Sequence, residues 1–253
     1  MENIQHSTPN IEHPRQSAAP SIGGWVFDVE CSMFPRVQGE GQGEGGRLSM
    51  LSLVLVCLLF PIVALAETKS ADLQSIFNGK DLAGWKVPHP NPFWTVVDGV
   101  LVGENEEKLK GHILFTERSY TNFVLELEVR WSGEIDSGIM LRNPELQVQF
   151  GISRSLKRDM TGAFYLAKSS VNPQSGYPEA GWPKNMDKLF KPDDWNQFRL
   201  EARGDVFTVW LNGKQVVQYT DARYSGAAPI GVQVHPGLKM KVEFRNIRAV
   251  ALE

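Results

Sequence analysis

The chain has 253 residues, with 26 Lys and Arg against 29 Asp and Glu, a formal net charge of −3. So even a balance offers no electrostatic footprint for nucleic acid or an anionic membrane surface. Its only cysteines are Cys31 and Cys57, which excludes a disulfide-rich scaffold and a Cys-rich metal site.

Residues 1–49 are polar and rich in Gly and Pro, without sustained periodicity, so they read as a disordered or mis-annotated extension. Residues 50–66 then bring LSLVLVCLLFPIVALA, an apolar run ending in Ala64-Leu65-Ala66 with Arg47 upstream. A run of this length is short of the roughly twenty residues a membrane span needs, and its end suits signal peptidase. The expectation is a cleaved signal ending near Ala66, a secreted or periplasmic protein and no stable membrane span; a membrane anchor is the alternative. The remainder, residues 67–253, forms one domain of 187 residues with 23 Lys and Arg, 23 Asp and Glu and no cysteine.

From Phe93 onward the pattern has period two. Trp94–Val97 and Val100–Val102 flank Asp98-Gly99, and Val206–Leu211 and Gln215–Tyr219 flank Asn212-Gly213, so each reads as a hairpin. Asn122–Trp131, Phe198–Arg203, Ile230–His235 and Val242–Ile247 add further strands. Residues 153–194 are dense in Pro, Gly, Ser and Asn and read as a long functional loop. About ten short strands and no sustained helical period predict an all-β, antiparallel β-sandwich. The large Trp residues 85, 94, 131, 195 and 210 are expected mostly in the core.

The segment DSGIMLRNPELQVQF, Asp136–Phe150, raises the question of function. Alternation turns Leu146, Val148 and Phe150 to one face and Glu145, Gln147 and Gln149 to the other. In GVQVH the valines face the core, leaving Gln233 and His235 outward. Arg142 shares the phase of Met140, with Asn143-Pro144 expected to bend the chain after it. If these strands are neighbours, one surface gathers Arg142, Glu145, Gln147, Gln233 and His235. Tyr177 and Trp182, in the loop, are candidates for stacking on a sugar ring.

Several chemistries are absent from the sequence: there is no Gly-x-Ser-x-Gly elbow, no His-Glu-x-x-His and no phosphate-cradling glycine loop. A two-carboxylate glycosidase is disfavoured, because the polar strand carries one carboxylate and only Asp136 or Glu243 remains as a partner. His89, His112 and His235 are widely spaced, so a three-histidine metal site has little support; a divalent ion such as calcium stays open.

FNGKDLAGW (Phe77–Trp85), DSGIMLR, ELQVQ, GAFY (Gly162–Tyr165), GVQVH and EFRNIR (Glu243–Arg248) follow one another in that order. Together they resemble the 3-keto-disaccharide hydrolase family of secreted bacterial proteins. The resemblance implies a concanavalin A-like jelly roll and action on an oligosaccharide or glycoside oxidised at C3. It further implies His235 as base with Glu145 as second choice or orienting partner, and Arg142 at the enolate, assisted by Lys168 or a metal. Gln147, Gln149 and Gln233 would hold hydroxyls, and Tyr165 would protonate the leaving oxygen. A non-catalytic carbohydrate-binding module is the alternative, and an unused structural domain the third class.

Overall fold

A computed structural model of the protein describes residues 72–142 and 145–253. The extension, the signal-like run, both cysteines and the Asn143-Pro144 bend therefore lie outside the described residues. The described chain is all-β, with fifteen strands and, besides them, only short 3-10 turns. In chain order the strands are β1 (Gln74–Ser75), β2 (Trp85–Lys86), β3 (Trp94–Val97), β4 (Val100–Glu104) and β5 (His112–Tyr120). There follow β6 (Phe123–Trp131), β7 (Asp136–Arg142), β8 (Leu146–Ser153), β9 (Arg158–Asp159) and β10 (Phe164–Leu166). The last are β11 (Asn196–Arg203), β12 (Val206–Leu211), β13 (Lys214–Thr220), β14 (Ala228–Val234) and β15 (Lys241–Ala251).

Two antiparallel sheets form the sandwich. One runs β13-β12-β11-β6-β15-β4-β3, with β1 added beside β15; the other runs β10-β8-β7-β14-β5-β2, with β9 beside β8. Both expected hairpins are present. Their turns place Asp98 and Gly99, then Asn212 and Gly213, at φ between 47° and 81°, the left-handed region that Asp, Asn and Gly enter most cheaply.

Between the sheets, Phe123, Phe150, Phe164, Phe198, Phe207 and Phe244 are fully buried, and Phe150 meets Phe198 at 4.7 Å. Burying each such ring contributes roughly 1.5–3 kcal/mol. With no cysteine among the described residues, this apolar layer carries the stability. Trp85 and Trp94 join it as expected, and Trp131 is half-buried against Phe150 and Phe190.

Trp195 and Trp210 correct the expectation. Each is only half-buried, with guanidinium groups over its ring: Arg130 and Arg245 at 4.6 and 4.1 Å from Trp195, Arg199 at 5.7 Å from Trp210. Arg130, Arg199 and Arg245 alternate with the buried residues of β6, β11 and β15, so both indoles cover the outer face of the eight-stranded sheet. The strand β5 escaped the sequence reading because Ile113-Leu114-Phe115 is a continuous apolar run with no alternation. Among the described residues, no helix is long and apolar enough to cross a membrane.

Candidate active site

The outer face of the seven-stranded sheet carries the polar strand. β8, β7 and β14 are neighbours, with Gln147 opposite Met140, Gln149 opposite Gly138 and Gly231 opposite Met140 across the other edge. The alternation thus brings Gln147, Gln149 and Gln233 to one face, as expected. On the edge strand β10, Tyr165 pairs with Gln147 and so stands on the same side.

The three amides form a directed chain anchored on Asp136. Gln149 Nε2 donates to Asp136 Oδ1 at 2.8 Å, and Gln147 Nε2 donates to Gln149 Oε1 at 2.9 Å. Asp136 is only 6% exposed, and its carboxylate, a pure acceptor, dictates which end of each amide faces which neighbour. Gln147 Nε2 also reaches Gln233 Oε1 at 3.3 Å and the Ser137 carbonyl at 3.0 Å. The direction of the chain leaves Gln147 Oε1 and Gln233 Nε2, an acceptor and a donor, without protein partners among the described residues. Gly138 is required underneath, since a Cβ there would stand 2.3 Å from Gln147 Nε2.

His235 follows β14 directly and is pinned by its surroundings. Its backbone carbonyl accepts from Asn105 Nδ2 at 2.9 Å, the Gly237 carbonyl accepts from Arg154 Nη1 at 2.8 Å, and Gly237 N–H donates to Leu109 O at 2.7 Å. The imidazole Nδ1 lies 2.8 Å from the Pro236 carbonyl. A carbonyl has no proton to give, so Nδ1–H is the donor and Nε2 keeps the lone pair of a base.

Glu145, half-buried ahead of β8, has its carboxyl pushed up by burial, while the charge of His235 pulls it back down. The two groups therefore sense one another, and Glu145 makes no ion pair among the described residues. Glu243, the other candidate carboxylate, sits on β15 of the opposite sheet, bound to Arg130 at 2.8 Å and Lys241 at 3.3 Å. A carboxylate pair is thus left to Asp136, which is already spent on Gln149 and, at 3.4 Å, on the Arg154 backbone N–H.

Arg142 corrects the sequence reading. A register shift between Met140 and Arg142 sets Arg142 opposite Leu146, a core position, instead of in phase with Met140. A bulge moves the alternation on by one, and every side chain after it changes face. Arg142 is 3% exposed, between the rings of Phe123 and Phe207 at 5.5 and 5.2 Å, with Nε donating to the Tyr224 carbonyl at 2.7 Å. Burial lowers its pKa to about 10. It is an interior cation and does not reach the amide face.

Lys168 lies exposed just beyond β10, next to Ala167, whose N–H donates to the Glu145 carbonyl at 3.1 Å. Trp182 lines a different cleft; its indole N–H donates to the Tyr177 carbonyl at 3.3 Å. Tyr177 is the aromatic residue of the loop that reaches the amide face, 5.0 Å from the Tyr165 ring. Burial raises its hydroxyl to about 12, with the Ser153 hydroxyl opposing and the Asp136 charge adding to the rise. It therefore stays protonated, as a hydrogen-bond donor, at neutral pH.

Three residues escaped the sequence reading. Asp136 stands in the sequence only as a possible second carboxylate; its place in phase with Gly138 and Met140 is the signal that puts it on the amide face. Arg154 carries the only side chain hydrogen-bonded to the Gly237 backbone among the described residues, and no sequence pattern marks it. Phe115 lies on Gly231, where a Cβ would stand 2.7 Å from its ring, so an apolar platform adjoins the amides. Among the described residues no three His, Cys, Asp or Glu side chains gather to hold a metal. His112 is occupied otherwise: its Nδ1 accepts from the Trp94 indole at 3.1 Å and its ring stacks on Phe93 at 5.4 Å.

The family profile described as the 3-keto-alpha-glucoside-1,2-lyase-like domain matches residues 72–249. The chain belongs to this family. Its members' concanavalin A-like fold is the architecture found here. A protein of Parabacteroides distasonis ATCC 8503, provisionally named a glycosyl hydrolase, superposes with a TM-score of 0.53 at 19% identity, over 72% of this chain and 95% of that one. A second one from the same organism, also provisionally named so, gives 0.51 at 19% identity over 71% and 99%. The carbohydrate-binding module CBM66 of Bacillus subtilis gives 0.50 at 14% identity over 68% and 98%. At these identities the likeness concerns the fold, which this lyase-like domain shares with both a binding module and proteins provisionally named glycosyl hydrolases. A search of the curated proteins found no match.

Proposed function

We propose that the amide face cleaves glycosides oxidised at C3, by elimination followed by hydration. The observation that carries this reading is His235, whose Nδ1–H is committed to Pro236 while Nε2 stays free beside Glu145 and the amide chain. A ketone at C3 acidifies the C2 proton, so one base replaces the carboxylate pair of an ordinary glycosidase. His235 Nε2 takes the C2 proton, and the electron pair delocalises to the C3 oxygen as an enolate. The enolate re-forms the ketone, making the C1–C2 double bond and breaking the bond from C1 to the leaving oxygen, which takes a proton from a tyrosine hydroxyl. Water then adds across the double bond, its oxygen bonding to C1 while C2 takes back a proton from His235.

Either Tyr165, which pairs with Gln147, or Tyr177, whose ring is in contact with that of Tyr165, supplies the proton to the leaving oxygen. Gln147 Oε1 and Gln233 Nε2 hold sugar hydroxyls, Gln149 orients Gln147, and Phe115 stacks on the apolar sugar face. With Arg142 in the core, Arg154 and the amide N–H groups take over the enolate oxygen, with Lys168 at the rim. The reading uses no metal. Export, as the run at 50–66 suggests, would bring the domain to extracellular or periplasmic saccharides.

A binding-module reading is favoured by one observation: Arg142, the arginine of the polar segment, is held in the core away from the amides, and a lectin needs no enolate stabiliser. The test incubates the purified full chain with a 3-keto-glucoside and its unoxidised parent, each with and without chelator, and follows sugar release. Release from the keto sugar alone is expected, unaffected by chelator. Release from the parent alone would overturn elimination, and glycan binding without release from either would make the domain a lectin.

A further inference from the structure

Beyond the amide face, a cleft of about 420 Å³ opens at Trp182, lined by Arg158, Asp159, Met160, Met186 and Phe190. None of these residues belongs to the amide chain or to the His235 turn, and the volume lies within the range of small-molecule sites. The cleft's polar groups are few and mostly used. Thr161 Oγ1 accepts the Gly151 N–H at 2.8 Å, and Asp159 Oδ1 accepts the Thr161 N–H at 2.8 Å.

Arg158 differs. Its guanidinium lies 4.4 Å over the Trp182 ring and Nε donates to the Met160 sulfur at 3.2 Å, while its terminal nitrogens have no protein partner among the described residues. Two thioethers, an indole and a phenyl ring make an adaptable wall that a flat aromatic ring fills well. A sugar would strip water from its hydroxyls there without finding partners. A guanidinium held over an indole, with its terminal nitrogens unpaired, can present its fork to a carboxylate. Asp159 next to it disfavours a second anionic group on the ligand.

We propose that the Trp182 cleft binds a monoanionic aryl carboxylate, either as a free acid or as the aglycone of a glycoside. The free-acid arm stands independently of the chemistry proposed for the amide face; the aglycone arm rests on it. The full chain titrated calorimetrically with 2-naphthoate shows one saturable site. Met186→Trp, which fills the cleft, abolishes it, and Arg158→Gln weakens it about tenfold while leaving 2-naphthylmethanol unchanged. Arg158 is exposed, so that variant keeps the test sound even if Met186→Trp does not fold, which thermal melts reveal. No saturable binding of 2-naphthoate, or an equal loss of acid and alcohol in Arg158→Gln, overturns the proposal. A 4-carboxyphenyl 3-keto-glucoside that displaces naphthoate assigns the cleft to the aglycone; one that does not displace it assigns the cleft to a free acid.

Discussion

The outer faces of the two sheets treat polar groups in opposite ways. On the eight-stranded sheet the acidic side chains of β6, β11 and β15 are all matched: Glu126 with Arg199 and Arg248, Glu128 with Arg245, Glu201 with Arg203, Glu243 with Arg130 and Lys241. Trp195, between Arg130 and Arg245, shields that ladder. On the seven-stranded sheet the polar groups around β8 are mainly neutral amides bonded to one another, and Glu145 lies within the field of His235 without an ion pair of its own among the described residues. A saturated ion ladder has little left to offer a ligand. An amide chain that starts on a carboxylate and ends in an unused donor and acceptor does, and an imidazole with a free lone pair stands beside it.

Substitutions on the two faces should therefore differ in kind. His235→Ala is expected to lower turnover of a 3-keto-glucoside by about 10²- to 10⁴-fold, the usual worth of a positioned base, with the melting temperature nearly unchanged. Turnover kinetics beside a thermal melt check this, and a loss below tenfold would remove His235 from the role of base.

Next in size, Gly231→Ala drives a methyl group into the Phe115 ring and costs about 1–3 kcal/mol by overpacking. Chemical denaturation measures it, and adding Phe115→Ala should relieve part of the cost while weakening sugar binding. If Gly231→Ala is neutral, the ring does not rest on that strand.

Glu145→Gln tests the charge on the amide face. Burial raises this carboxyl in the folded state, so the fold favours its protonated form. The protein is then fully stabilised below the unfolded carboxyl pKa and loses that contribution as pH rises through the folded value. The Gln variant is accordingly expected to melt higher than the parent at pH 8 and equally near pH 4. The same melting difference at both pH values would show that the carboxyl is not penalised by burial.

The smallest effect belongs to the other face. Arg245→Ala removes one partner of Glu128 and half of the Trp195 sandwich, but both side chains are partly exposed and the pair is worth about 1 kcal/mol or less. Turnover should not change, which steady-state kinetics would show; a large loss of activity would mean that the two faces are coupled.

Much of this arrangement was legible in the chain itself. Period-two alternation placed Gln147, Gln149 and Gln233 together because side-chain direction in a strand is a local property. Asp98-Gly99 and Asn212-Gly213 announced their hairpins because positive φ is a demand on the residue itself. The absence of a second carboxylate on the polar strand was equally plain. What alternation could not carry past Met140 was the phase of Arg142. The bulge there is set by how β7 pairs with β8 and by the space between the Phe123 and Phe207 rings, residues 19 or more positions away in the chain. Likewise Asp136 became the anchor of the amides, Phe115 a platform over Gly231 and Trp195 a shield for arginines only through strand neighbours brought together by folding. Local stereochemistry decides which way each side chain points along an unbroken strand; the order of the strands and the breaks in their register decide what it meets.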